Sequence, residues 1–275
     1  MRNLKQVPLV VKKSCNYAFS IVTGISTLAG IWGYTIKDIN ENLKWWQCGL
    51  ILIVFFTIVA IFSWIYLTLS RHMEYTSTIN GRPIKIKKGN IFEEKGMKVI
   101  PFNERFDTKV DDIIISHDSL NGQMIDRYVD NIDDLNQIIE SENIRNSKLK
   151  PIKKNGKNVF PLGRIIPYKE FLLLSFSHFN DENIAYIGTG EYEHLLINMW
   201  NEIRRTYAGK PIVMPLIGSG ITTINGEQIK NYTELLRCIL CTLRSSKFQA
   251  KQGITITVTE EILNNIDMNE IKEEF

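Results

Sequence analysis

Pro211-Ile-Val-Met-Pro-Leu-Ile-Gly-Ser-Gly-Ile-Thr-Thr223 decides how the larger part of this chain is read. Residues 212–215 are apolar and bounded by proline, as expected of a short, fully buried strand. That strand runs into Gly218-Ser219-Gly220-Ile221-Thr222, where glycines let the backbone turn with its N–H groups converging. Such a nest binds phosphate oxygens without a formal positive charge. The hydroxyls of Ser219, Thr222 and Thr223 are potential donors to the same anion. No Gly-Lys-Ser/Thr follows, so this is not a Walker loop, nor does it carry the Gly-x-Gly-x-x-Gly of a dinucleotide fold. Taken alone, it also fits a plain tight turn.

Outward from this segment, strand-like and helix-like stretches alternate, the pattern of a layered α/β domain. Residues 83–87, 98–102, 112–116 and 253–258 read as strands, and 164–166 with 171–176 as a hairpin turning at Pro167-Tyr168. Two helices are predicted by apolar residues at three- and four-residue steps. The first carries Tyr192, Leu195, Leu196, Met199, Ile203 and Tyr207 and is stopped by Gly209-Lys210-Pro211. The second carries Tyr232, Leu235, Leu236, Ile239, Leu240 and Leu243. A weaker helix spans 123–140, the polar stretch 141–158 reads as a mobile loop, and acidic residues 267–275 read as a solvated terminal helix or tail. A second glycine loop, Ser116-His-Asp-Ser-Leu-Asn-Gly-Gln-Met124, also leaves a predicted strand and enters a predicted helix. Both loops would then face one crevice at the carboxyl ends of strands and grip a diphosphate from two sides.

The N-terminal quarter is different. Residues 16–36 and 45–70 are uncharged runs of 21 and 26 residues, and about 20 suffice to cross a hydrocarbon core of about 30 Å. The second is apolar all round; the first is diluted by Thr23, Gly24, Ser26, Thr27, Gly30 and Gly33, small residues that let helices approach closely in lipid. Arg2, Lys5, Lys12 and Lys13 precede the first run, and Arg71, Arg82, Lys85, Lys87 and Lys88 follow the second. Positive-inside bias puts both termini in the cytoplasm and the short connecting loop outside, as expected of a hairpin in an inner membrane. The expected organisation is a transmembrane α-hairpin over residues 1–70, a connector over 71–82 and an α/β/α three-layer domain with a mixed sheet over 83–275.

Charge excludes some functions. Of 33 basic and 30 acidic residues, six basic and two acidic fall in residues 1–44, leaving 27 and 28 for the rest. A domain without positive surplus lacks the footprint of a nucleic-acid binder. Cys238 and Cys241 lack the second ligand pair of a zinc site, and His72, His117, His178 and His194 do not have metal-ligand spacing, so no metal is expected. Glu104 and Asp118 are isolated carboxylates, more often solvated than catalytic.

The domain resembles a macro domain, the ADP-ribose-binding α/β/α module, and the whole chain resembles the membrane-anchored macro-domain effectors of Thoeris antiphage systems. The resemblance rests on Gly89-Asn90-Ile91-Phe92, Val99-Ile100-Pro101-Phe102-Asn103, Ser119-Leu120-Asn121-Gly122-Gln123, Phe160-Pro161-Leu162-Gly163, Ser175-Phe176-Ser177-His178-Phe179, Asn198-Met199-Trp200 and Pro215 through Thr222. It implies that Asn90 and Ile91 lie at the adenine, with Asn90 where the family has an aspartate. Asn103 lies toward the distal ribose, and Ser119, Leu120, Asn121, Gly122, Gln123, Gly218, Ser219, Gly220, Ile221 and Thr222 hold the phosphates. The family's Asn-Ala-Ala-Asn segment is represented by Asn103 alone, and the triple glycine after it is missing, which implies binding rather than hydrolysis. The resemblance further implies a partner TIR-domain enzyme that makes an ADP-ribose-derived signal from NAD, such as histidine-ADP-ribose. It implies no cofactor. Ligand binding would then cluster the hairpins in a homo-oligomer and breach the bilayer. The rival readings are a membrane-tethered ADP-ribosyl hydrolase and an interaction protein whose glycine loops are only turns.

Overall fold

A computed structural model describes residues 7–34, 44–70, 74–142, 149–154, 156–180, 184–226 and 231–275. The chain divides into two compact units between Met73 and Glu74.

The first unit holds α1 (Val7–Ile31) and α2 (Trp45–Ser70). Helix α2 has the bounds its sequence predicts. Its apolar side chains point outward, Trp45 85% and Phe62 68% exposed, the reverse of a core helix. Among the described residues only Trp45–Tyr66 is long and apolar enough to cross a membrane. Helix α1 departs from the expected span at both ends. It begins at Val7, since Lys12 and Lys13 end an apolar run without ending a helix. It stops at Ile31, where the Gly33 N–H donates to the Gly30 carbonyl at 3.1 Å and the Tyr34 N–H to the Ala29 carbonyl at 2.9 Å, a C-terminal cap. Residues 35 and 36 lie outside the described residues. The helices pack on each other along a groove lined by Phe19, Thr23 and Ser26 of α1 and Leu52, Ile53 and Phe56 of α2.

The second unit runs β1 (Tyr75–Ile79), β2 (Arg82–Lys88), β3 (Met97–Asn103), α3 (Leu120–Tyr128), α4 (Ile132–Ser141), β4 (Ile152–Lys154), β5 (Lys157–Val159), β6 (Ile165–Tyr168), β7 (Phe171–Phe179), β8 (Ala185–Ile187), α5 (Thr189–Thr206), β9 (Ile212–Pro215), β10 (Thr223–Ile224), α6 (Tyr232–Ser246), β11 (Ile254–Val258), α7 (Glu260–Asn265) and α8 (Met268–Glu274). Its main sheet has the order β1-β2-β11-β9-β3-β7-β8-β10, with β6 also on β7. The middle strands β2, β11, β9, β3 and β7 are parallel; β1, β6 and β8 pair antiparallel. The sheet is therefore mixed.

Both faces of its centre are covered. On one face Met97, Val99, Leu172, Leu174, Ile212, Met214, Ile254 and Ile256 pack with α5, α6, α7 and α8. On the other Ile100, Phe102, Phe171, Leu173 and Val213 pack with α3 and α4. Hence β7 is buried at seven successive residues, 171–177, instead of alternating, as a parallel strand between two helical layers requires.

Several expectations are corrected. Residues 112–116 form no strand: Asp111 accepts the N–H groups of Ile113 and Ile114 at 3.0 and 2.8 Å, and Ile113 is 71% exposed. A β-branched run mimicked a strand where an aspartate-held turn forms. The helix expected over 123–140 is two, α3 and α4, because Asn131 accepts from the Asp133 N–H and starts a new helix. The hairpin turns at Lys169, φ 50°, with Pro167 inside edge strand β6 opposite Leu172. The stretch 141–158 includes the hairpin β4–β5, while residues 143–148 and 155 lie outside the described residues. Tyr75 and Ile79 of β1, in the expected connector, are buried. The acidic C-terminal segment is docked, with Ile271 fully buried.

Arg164, 1% exposed, closes the outer edge of the sheet. Its guanidinium donates to Glu202 Oε2 of α5 at 2.6 Å and to Glu142 Oε2, just past α4, at 2.8 Å. One cation thus ties both helical layers across β6. Arg164→Ala, which leaves two buried carboxylates without that cation, should cost about 3–5 kcal/mol in urea denaturation; a loss below about 1 kcal/mol would show the cluster to be solvated.

Candidate functional site

Five parallel strands end on one edge, and ligands of open α/β sheets bind outside that edge. From it leave Gly89-Asn90-Ile91 after β2, residues 104–119 after β3, Asn180 after β7, residues 216–222 after β9 and Thr259 after β11. Strand β9 lies directly between β11 and β3, so the loops after β9 and β3 start from neighbouring strands.

The loop after β9 is built on Gly218. Its φ of 87° is a left-handed value, and a Cβ there would lie 3.3 Å from the Tyr192 ring, 3.5 Å from Ile224 and 3.6 Å from Leu235. Below it, Tyr192 donates its hydroxyl to the Ile217 carbonyl at 2.7 Å, and burial pushes that phenol well above its ordinary range, so it stays a donor. The Ser219 N–H closes the turn on the Leu216 carbonyl at 3.0 Å. Gly220 and Ile221 stand outward, Ile221 83% exposed. Thr222 and Thr223 turn inward, and Thr223 donates to the Ala185 carbonyl at 3.3 Å, so its hydroxyl serves the fold rather than the crevice.

The second loop reaches the same edge by the direction of α3. Tyr128, its last residue, lies 5.1 Å from Phe171, the first residue of β7, so α3 runs against the strands and its N-terminus faces their carboxyl ends. Ser119 caps it, accepting from the Gly122 N–H at 3.1 Å and donating to the Ser116 carbonyl at 2.5 Å, with Asn121 Oδ1 2.6 Å away. Gly122 has no room for a side chain: a Cβ would lie 2.2 Å from the Ser116 carbonyl oxygen. Gln123 donates to the Asp118 carbonyl at 2.9 Å, and Leu120 packs into the core.

Three other expected residues are partly or wholly committed to the fold. Asn90 is exposed; its Oδ1 accepts from the Phe92 N–H at 3.1 Å and its Nδ2 donates to Glu93 at 3.1 Å. Ile91 is 3% exposed and belongs to the core below. Asn103 is buried: its Oδ1 accepts from the Arg105 and Asp107 N–H groups at 3.0 and 3.2 Å, and its Nδ2 donates to Asp107 at 3.0 Å. It shapes the loop after β3.

Next to it lies a cluster that could not be read from sequence. Glu104, 9% exposed, meets His178 Nδ1 at 2.5 Å, while Nε2 of the same ring is 3.3 Å from Glu191 at the start of α5. The ring lies 5.4 Å from that of Tyr186, and β8 carries the row on from His178 to Tyr186 to Thr223 at the exit of the Gly218 loop. Both His178 and Glu104 were visible as residue types; a pairing across 74 positions was not. The Glu104 carboxylate, and more weakly Glu191, hold His178 above the ordinary histidine range. Cys238 and Cys241 are partly buried on α6, which pushes both thiols up and keeps them protonated.

Residues 84–259 match the family model described as Thoeris protein ThsA, Macro domain. The chain is 39% identical over 194 residues to the Thoeris protein ThsA of Bacillus amyloliquefaciens (strain Y2), covering 66% of this chain and 64% of that one. The match thus spans less than two thirds of the relative's length. Among solved structures, the Oceanobacillus iheyensis macrodomain with ADP aligns at 14% identity and TM-score 0.47 over 74% of this chain and 96% of its own. The macrodomain of Thermus aquaticus DarG aligns at 14% identity and TM-score 0.41 over 64% and 97%.

The His178 cluster sets a pH dependence. A folded pKa raised above the ordinary 6.5 means stability fully present below that value and lost as pH rises through the folded one. Glu104 and Glu191 are the carboxylates that face the ring, and Tyr186 stacks beside it. Melting temperature should therefore fall as pH rises above about 6.5, and Glu104→Gln should flatten part of that fall. His117, raised by Asp126, contributes with the same sign in both proteins and drops out of the difference. An unchanged slope in Glu104→Gln would show that this carboxylate does not hold the proton.

Proposed function

Because this chain belongs to the family of the Thoeris protein ThsA macro domain, we propose that it is an antiphage-defence effector whose carboxyl-edge crevice binds an ADP-ribose-derived signal. The observation that carries this reading is the paired loops on neighbouring connections. One is the left-handed turn at Gly218 with Ser219, Gly220 and Ile221 presented outward; the other is the N-terminus of α3 at Ser119–Gln123. Neither loop contains a Lys or Arg, so a diphosphate would be held by backbone N–H groups and hydroxyls. Asn90 would accept from an adenine amino group through the second lone pair of its Oδ1.

Binding without turnover is favoured by Asn103, whose amide is buried and bonded within its own loop. The ligand class is the product of a TIR-domain enzyme acting on NAD, with histidine-ADP-ribose the leading member. Helix α2 would cross the bacterial inner membrane and α1 would accompany it through residues 16–36, with both termini cytoplasmic. Ligand would favour one assembly of a homo-oligomer over another, the only way binding can drive a change of state, and that assembly would breach the bilayer.

The test is thermal unfolding of the full chain with ADP-ribose, NAD and histidine-ADP-ribose. The full chain is needed because a fragment starting near residue 80 would lose β1 and its buried Tyr75 and Ile79. A ligand specific for the folded state adds about 2.7 kcal/mol at one hundred times its dissociation constant. Ile221→Asp, at an exposed position, should leave folding intact and weaken binding by about tenfold or more through like-charge repulsion. No shift with any of the three compounds would remove the receptor reading. Vesicles that stay sealed with protein and ligand present would remove the membrane one.

A further inference from the structure

We infer that α8 is a detachable latch, closed by Arg237, through which occupancy of the Gly218 loop is passed to β1, the strand that follows α2 in the chain. The ligand part of this inference rests on the proposed function; the latch does not.

Strand β1 is an edge strand of five residues, paired on one side only. The side-chain hydrogen bonds described for residues 75–81 all end on the α6 and α8 region. Ser77 Oγ donates to the Phe275 carbonyl at 2.8 Å, and Asn80 Nδ2 donates to the carbonyls of Leu243 and Phe248 at 2.9 and 3.1 Å. Lys272 of α8 stands 5.8 Å from the Tyr75 ring, and Arg244 of α6 stands 4.8 Å from the Phe275 ring. Removing α8 therefore strips the inner face of β1 of much of its support.

Helix α8 is itself short, with Ile271 its fully buried apolar anchor. Its N-cap, Asp267, donates its N–H to Thr233 Oγ1 of α6 at 2.9 Å, and the ion pairs that fasten the rest of it to α6 converge on one guanidinium. Arg237 Nε donates to Glu274 at 2.8 Å, and its other nitrogens donate to Glu270 and to Glu234 of its own helix. The cluster is partly exposed and so is weakened by salt, unlike a buried pair. Such a contact holds at rest and can be released.

The same N-terminal part of α6 abuts the candidate site. Leu235, two residues before Arg237, is among the side chains that would meet a Cβ on Gly218. A shift of the Gly218 turn on binding would move α6 at Leu235 and bear on the Arg237 fork one half-turn later. One helix thus touches the loop that would sense ligand and holds the helix that supports β1.

The test is hydrogen exchange of the full chain alone and with each of ADP-ribose, NAD and histidine-ADP-ribose, read at residues 75–79, 216–222 and 267–275, in the parent protein, Arg237→Met, and the double variant Glu270→Gln with Glu274→Gln. Exchange reports local opening directly. In the parent, ligand should protect 216–222 and change exchange at 75–79. Both variants should exchange about tenfold faster at 75–79 and 267–275 without ligand. They should retain ligand protection at 216–222 and lose the ligand response at 75–79. Unchanged basal exchange at 75–79 in both variants would overturn the latch. A ligand response at 75–79 that survives in both would overturn the coupling. Absence of ligand protection at 216–222 in the parent would overturn the receptor reading and the coupling with it, while the basal rates still decide the latch.

Discussion

Burial of both faces of the five parallel strands is the constraint on which the rest of this domain depends. A strand such as β7, with no solvent face over residues 171–177, must be followed by a connection that covers one face before the next parallel strand begins. That requirement makes α3, α4, α5 and α6 necessary. It also brings the carboxyl ends of β2, β11, β9, β3 and β7 to one edge. That shared edge is thus a consequence of burying apolar area. The residues that line it are free to vary in chemistry so long as the turns can be made, which is why glycine at 122 and 218 matters more there than any charged side chain.

The charged groups inside the domain occupy its margins. Arg164 joins two helical layers at the outer edge, Glu104 and His178 join the end of β7 to the loop after β3, and Lys98 pairs with Glu170 at 3.1 Å at the opposite edge beside the Phe171 ring. Each stands where an apolar layer runs out and a neighbouring element could slide. Apolar contacts are tolerant of such sliding, whereas a hydrogen-bonded charge is not, because displacement leaves it buried and unpaired. These pairs fix the placement of layers that hydrophobic burial holds together.

The sequence was most legible where one physical signal dominated. The apolar stripes of α5 and α6 and the short apolar strands β9 and β11 were readable because each period buries one face or all faces. Legibility failed where a side chain overrode the backbone pattern. Asp111 made a turn of Ile113-Ile114-Ile115, and Asn131 split one amphipathic pattern into α3 and α4. Strands β8 and β10, three and two residues long, are set by their partners and have too little sequence to announce themselves. The docked C-terminus was hidden by its charge. Eight of its nine residues at 267–275 are polar, charged or partly exposed, and the single fully buried Ile271 decides its position.

Of the candidate site, the two glycine loops were legible and the commitments of their neighbours were not. Ile91, Asn103 and Thr223 look like ligand residues in sequence, yet each spends its side chain on the fold. The candidate positions that stay exposed are Asn90, Gly220 and Ile221. Main-chain donors leave no mark on composition. A near-neutral domain, with 26 basic and 28 acidic residues over 74–275, therefore lacks the signature of a nucleic-acid binder, while the same balance is compatible with one diphosphate held in a nest. Polyanions are bound by summed charge over many phosphates; a single small anion is bound by a few N–H groups already aimed at it. Excluding the first by charge leaves the second open, and Gly218, at φ 87°, is the position where the backbone freedom of glycine makes the turn of this loop.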